Sequence, residues 1–141
     1  MDKSKKYIKL CDLADEIQCR WVQRYGDFYL GNNGRITCWL ANADPGKKVK
    51  KRFVICSEDD VIRLSKYVWL PRQNQLIEMA QIPGRRYDTV VQDFYDWTKA
   101  GYNRQSVLPG KLFPSMEQIW LAYVMQRKFL KKWEADAWVA I

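Results

Sequence analysis

The hydrophobic period of this 141-residue chain changes near Trp69, from short strand-like runs broken by turns to a helical repeat. That one switch constrains the fold more than any motif. Before it, Asp27-Phe28-Tyr29-Leu30 and Arg35-Ile36-Thr37-Cys38-Trp39-Leu40 flank Gly31-Asn32-Asn33-Gly34. Asn-Gly accepts positive φ at little cost, so the segment predicts a β-hairpin. Asp44-Pro45-Gly46 marks a second turn, and Val49 to Cys56, centred on Phe53-Val54-Ile55, supplies a third strand. Ser57-Glu58-Asp59-Asp60 caps a short helix through Val61, Ile62 and Leu64, or else Val61 to Val68 is a fourth strand; the pattern leaves both open.

Helical signals flank this region. Leu10, Leu13, Ala14 and Ile17 predict an amphipathic helix near the start. Pro71 suits a first helical position, with Leu76, Ile77, Met79 and Ala80 as the buried face and Pro83-Gly84 as the stop. Tyr87, Val90, Val91, Phe94, Trp97 and Thr98 mark one face of the next helix, which Gly101 terminates. A loop from Tyr102 to Pro114 follows. Ser115-Met116-Glu117-Gln118 then reads as a capping box, with Ser115 as cap and Gln118 reaching back. Ile119 to Met125 is apolar nearly all round, which predicts a central helix.

The expected fold is therefore α+β. A small antiparallel sheet of about three strands within residues 27–68 carries an N-terminal helix and about three C-terminal helices packed on it. The length fits a single domain over 1–141, β-rich in 22–68 and helical in 69–133. A chain of this size buries roughly 68–70% of its unfolded surface, enough to fold without metals or disulfides. Met1-Asp2-Lys3-Ser4-Lys5-Lys6 lacks the apolar run of a signal peptide, and Ile119 to Met125 is too short to span a bilayer. A cytoplasmic protein without membrane contact is expected.

Composition limits the chemistry. There are seven tryptophans and eight tyrosines but no histidine, so the commonest general base and metal ligand is missing. Cys11, Cys19, Cys38 and Cys56 form no Cys-x-x-Cys pair and read as small buried or half-buried hydrophobes. Glu58-Asp59-Asp60 reads as helix capping, and Asp96 with Lys99 as an ordinary ion pair. There is no Walker loop and no Gly-x-Ser-x-Gly. No catalytic residue, metal or cofactor is expected.

The net charge is +8. Its densest feature is Lys47-Lys48-Val49-Lys50-Lys51-Arg52, five cations in six residues at a turn. Lys47, Lys48, Lys50, Lys51 and Arg52 are the candidate phosphate contacts, with Arg85 and Arg86 as a second patch. The same residues would serve equally as a solvated loop blunting a sheet edge. Tyr29 and Trp39 would stack on unpaired bases if they face outward. Trp97 and Trp120 read as core, and Trp133 and Trp138 as pins holding the tail to the body. Nucleic acid is thus the first expected partner. A host or phage protein, met through exposed Tyr102 and Trp138, is the second.

Three segments together resemble a group of small, uncharacterised proteins carried by bacteriophages and prophages, chiefly of Gram-positive bacteria. One is Leu10-Cys11-Asp12-Leu13 with Glu16-Ile17-Gln18, Trp21 and Gly26-Asp27-Phe28. Another is Trp69-Leu70-Pro71-Arg72-Gln73-Asn74-Gln75-Leu76 with Glu78-Met79. The last is Phe113, then Ser115-Met116-Glu117-Gln118-Ile119-Trp120-Leu121-Ala122, with Trp133 and Trp138. Many members place aspartate where this chain has Asn74. The resemblance covers most of the chain but not the Lys47 to Arg52 loop. It implies a phage origin and action in the host cytoplasm, with no assigned activity and no catalytic residues.

Overall fold

A computed structural model describes residues 1–22, 24–39, 67–102 and 107–141, together with the backbone of 53–55 and 61–63. The chain divides into two compact units, Lys3–Pro71 and Met1–Asp2 with Arg72–Ile141. The fold class is α+β, as the pattern predicts.

The first unit begins with α1 (Lys5–Asp12), whose Ser4 cap accepts the Tyr7 N–H. The single predicted helix is in fact two, because the chain breaks at Leu13 and Ala14 and restarts as α2 (Asp15–Gln18). Leu13 consequently faces solvent, while Leu10, Ala14 and Ile17 are fully buried. The expected hairpin forms: β1 (Phe28–Leu30) pairs antiparallel with β2 (Ile36–Cys38), and Gly34 takes φ +72° in the turn. β3 (Phe53–Ile55) pairs with β4 (Val61–Arg63) as a separate hairpin, which settles Val61 to Arg63 as strand rather than helix. The third strand of the main sheet is β5 (Val68–Leu70), giving the order β2-β1-β5. The strand pattern thus runs past Trp69 to Leu70.

β5 lies at an edge of that sheet, so the outward N–H and C=O of Trp69 need partners. Gln18 supplies both. Its Oε1 accepts the Trp69 N–H at 2.8 Å, and its Nε2 donates to the Trp69 carbonyl at 2.9 Å. The same Nε2 donates to the Cys11 carbonyl at 3.0 Å, at the end of α1. The Tyr7 hydroxyl donates to the Pro71 carbonyl. α1 packs on β5, and Tyr7, Leu10, Cys11, Ile17, Val68 and Leu70 are buried.

The second unit is mainly helical. α3 (Gln73–Ala80) starts two residues later than Pro71 suggests, with the Gln75 side chain accepting the Arg72 N–H at 2.9 Å. α4 (Tyr87–Lys99) buries Val90, Phe94 and Trp97 only; Tyr87 and Val91, assigned to its apolar face from sequence, are exposed. Gly101 follows α4 with φ +80°, as the C-cap rule anticipates. The Tyr102 to Pro114 loop contains a short α5 (Pro109–Leu112). α6 (Met116–Phe129) is the centre, with every residue from Trp120 to Met125 buried. Ser115 caps it, accepting the Gln118 N–H at 3.2 Å, while the Gln118 amide donates to the Asp2 carboxylate at 2.6 Å. α3 packs along α6. The Phe94 and Trp120 rings stack at 3.7 Å, and Tyr123 meets both edge-on.

The chain ends in a hairpin that the sequence pattern did not reveal. β6 (Lys131–Glu134) pairs with β7 (Ala137–Ala140), and Trp133 stands opposite Trp138 with ring centroids 5.1 Å apart. These two rings therefore staple the hairpin as a cross-strand pair. Ala135 and Asp136 both take positive φ, 47° and 67°, as a two-residue type I′ turn requires. Ala is poorly suited to that conformation, so nothing in the sequence announced the turn.

Three outcomes follow from this architecture. Gln18→Ala leaves both Trp69 groups without partners and lowers unfolding free energy by about 2–4 kcal/mol in urea titration, whereas exposed Gln81→Ala costs under about 0.5 kcal/mol. Equal losses would contradict the role given to Gln18. Ala135→Gly relieves the strained φ and raises stability by about 0.5–1 kcal/mol, read as a higher urea midpoint with unchanged slope. Tyr102 is buried, and that burial pushes its phenol up to about 12 even though its oxygen accepts the Trp133 N–H at 2.6 Å. The fold favours the protonated phenol, so this contribution is complete below pH 10 and is lost as pH rises through about 12. Tyr102→Phe removes that alkaline loss of stability; an unchanged profile would contradict it.

Candidate nucleic-acid interface

Register decides which rings meet on the sheet. Tyr29 in the central strand stands opposite Thr37 of β2 and Trp69 of β5, so these three share one face. The Tyr29 ring has three aromatic neighbours: Trp21 at 5.9 Å, Trp39 at 5.9 Å and Tyr67 at 5.5 Å. Trp21 in turn lies parallel to Trp69, 5.9 Å away with 2° between the planes. Five rings thus form one continuous cluster. Trp69 is buried, while Trp21, Tyr29, Trp39 and Tyr67 are half-buried and keep part of their surface in solvent.

The cluster is held from below by polar groups. Asp27 is fully buried, and its Oδ2 accepts the Trp21 indole N–H at 2.8 Å and the Arg24 N–H at 2.9 Å. The Asp27 carbonyl accepts the Trp39 N–H, and the Trp39 carbonyl accepts the Gly26 N–H at 2.8 Å, extending the β1–β2 pairing by one step. Gln18 fixes the backbone of Trp69. The Trp69 indole N–H is buried with no hydrogen-bond partner. Arg20, Arg24, Arg35 and Thr37 are exposed in the segments that carry the rings.

Tyr29 and Trp39, singled out from sequence, are therefore brought together, and Trp21, Tyr67 and Trp69 join them. The signal for those three was present only as aromatic residues beside turns; strand register was needed to place them. Lys47, Lys48, Lys50, Lys51 and Arg52 lie outside the described residues, as does Cys56. Trp39 is the last described residue before that segment, eight positions ahead of Lys47.

Arg85 and Arg86 part company. Arg86 is strongly exposed and pairs with Asp88 at 2.9 Å. Arg85 pairs with Asp93 at 3.5 Å and lines a cleft with Arg127 and Lys128. Asp96 accepts from Gln92, while the Lys99 ammonium sits 4.0 Å over the Tyr95 ring. Tyr102 and Trp138, expected as exposed hot spots, are 1% and 8% exposed and belong to the core. Their polar tips and flat rings serve packing in a small, aromatic-rich unit.

Cys11 is buried, Cys19 and Cys38 are half-buried, and none of the three is in a disulfide; burial pushes the Cys19 thiol up, away from thiolate reactivity. Among the described residues no three His, Cys, Asp or Glu side chains converge as a metal site, and no helix is long and apolar enough to cross a membrane. Comparison of the chain with family models, with curated proteins and with solved structures returned no match.

Proposed function

We propose that this chain is a non-catalytic module of phage or prophage type that binds single-stranded nucleic acid in the host cytoplasm. Unpaired bases stack on Tyr29 and Trp39 and on the open parts of Trp21 and Tyr67. Lys47, Lys48, Lys50, Lys51 and Arg52 neutralise the phosphates. The observation that carries this reading is the Tyr29-centred cluster of half-buried rings on a sheet face. Ring faces accept any base, and base stacking contributes about 1–3 kcal/mol each. The net charge of +8 supports the same partner. The absence of histidine and of any nucleophile or phosphate-loop motif supports the non-catalytic part. The phage assignment rests on the three segments that resemble phage proteins.

A second reading has its own observation. Tyr87, Val91 and Tyr95 are 54%, 42% and 50% exposed and recur every four residues along α4. An exposed apolar stripe of that kind suits a protein partner.

Fluorescence anisotropy with short single-stranded and duplex DNA and RNA separates these. On the first reading, replacing Lys47, Lys48, Lys50 and Lys51 with glutamate abolishes binding and leaves the circular dichroism unchanged. Trp39→Ala weakens single-strand binding about tenfold, within the range of one lost stacking contact, and leaves duplex binding alone. Wild-type-like binding by the lysine variant, or equal losses for duplex and single strand in Trp39→Ala, would contradict it.

A further inference from the structure

The two edges of the β2-β1-β5 sheet are finished differently. On β5 the outward groups of Trp69 are taken by Gln18. β2 forms the other edge. The Gly31 N–H donates to the Arg35 carbonyl at 2.9 Å, and the Trp39 N–H to the Asp27 carbonyl at 2.6 Å. Arg35, Thr37 and Trp39 therefore turn their backbone inward to β1, and Ile36 and Cys38, between them, turn theirs outward. Among the described residues, no hydrogen bond reaches the outward N–H and C=O groups of Ile36 and Cys38. Arg35 and Thr37 are exposed, and Ile36, Cys38 and Trp39 are half-buried, so the side chains along this edge reach solvent.

An open edge is a template for a further strand, and the strand that fits this one is β2 itself. Two copies related by a two-fold axis through Thr37 run antiparallel, with Thr37 facing Thr37. Ile36 of each copy then faces Cys38 of the other, and every outward N–H meets an outward C=O. Arg35 of each copy faces Trp39 of the other on the ring-bearing face, a cation opposite an aromatic ring. Sliding the register by two residues in either direction breaks that pairing, which fixes the alignment.

We propose that a second copy of this chain docks along β2, joining two three-stranded sheets into one continuous sheet with both ring clusters on the same face. The contact is small, so the pairing is weak and reversible. Repulsion between two chains of net charge +8 weakens it further at low salt. Added salt screens that repulsion and strengthens the pairing, opposite to its effect on nucleic-acid binding. The inference does not rest on that binding.

Disulfide trapping of the full chain, without nucleic acid, tests this. Thr37→Cys sets two thiols across the axis, where Cα atoms of such a pair lie about 4.5 Å apart, within disulfide reach. Asn32→Cys sets an equally exposed thiol in the β1–β2 turn, away from the axis. Both are made with Cys38→Ser, so that neighbouring thiol takes no part. Under mild oxidation Thr37→Cys forms covalent dimer about tenfold faster than Asn32→Cys, the proximity gain of a held pair, and faster still at about 0.5 M salt. Exchanging Cys38→Ser for Cys38→Pro removes one outward donor from each copy, a change that an edge strand tolerates. It brings Thr37→Cys down to the Asn32→Cys rate, with circular dichroism checking the fold. Equal rates for Thr37→Cys and Asn32→Cys, trapping that slows as salt rises, or trapping undiminished by Cys38→Pro in a folded chain would each overturn the assignment.

Discussion

The carboxamide of Gln18 is the contact on which the sheet-bearing unit depends. It is fully buried and serves the outward backbone edge of Trp69 with donor and acceptor together, while also closing on the end of α1. An edge strand of three residues has little ladder to hold it. Pairing its free edge with a side chain removes the cost of burying unpaired peptide groups. The consequence reaches the surface. With the Trp69 backbone fixed, its ring supports Trp21, and Tyr29, opposite Trp69 in register, gathers Trp39 and Tyr67.

A partly exposed ring cluster is costly to keep unless packing on one side holds it in place. Here the buried Asp27 carboxylate anchors the indole of Trp21, and the Trp39 backbone is tied into the hairpin next to it. The rings are therefore fixed by the fold itself, which under the proposed function would limit the ordering entropy of binding. On the proposed reading, stacking on these rings would combine with phosphate neutralisation by Lys47 to Arg52, which follow Trp39 in the sequence, as the two sequence-tolerant sources of affinity for a single strand.

How much of this was legible in the sequence depended on how local each signal was. The Asn-Gly turn, the Gly101 cap, the Ser115 cap and the all-round apolar run of α6 are short-range signals, and all four stand in the structure. β5 was partly hidden because Val68-Trp69-Leu70 abuts a proline that reads as a helix start. The break between α1 and α2 leaves the apolar spacing intact, so periodicity missed it. The final hairpin turns on Ala135 and Asp136, whose positive φ no residue preference signals. Tyr29 and Trp39 were identifiable as candidates, but their company was set by cross-strand register. The cleft lined by Arg85, Arg127 and Lys128 brings Arg85 to residues 42 and 43 positions further along the chain, beyond the reach of any local pattern.

The most direct measurement is the salt dependence of affinity for a short single-stranded oligonucleotide, extended to high salt. Five phosphate contacts predict a slope of about −3.5 in log K against log salt, at about −0.7 per contact for single strands. Stacking adds a component that persists when the line is extrapolated to about 1 M salt, where the ionic part has vanished. A steep line with such a remainder is the result predicted here. Absence of binding at low salt, or binding indifferent to salt, would contradict the account.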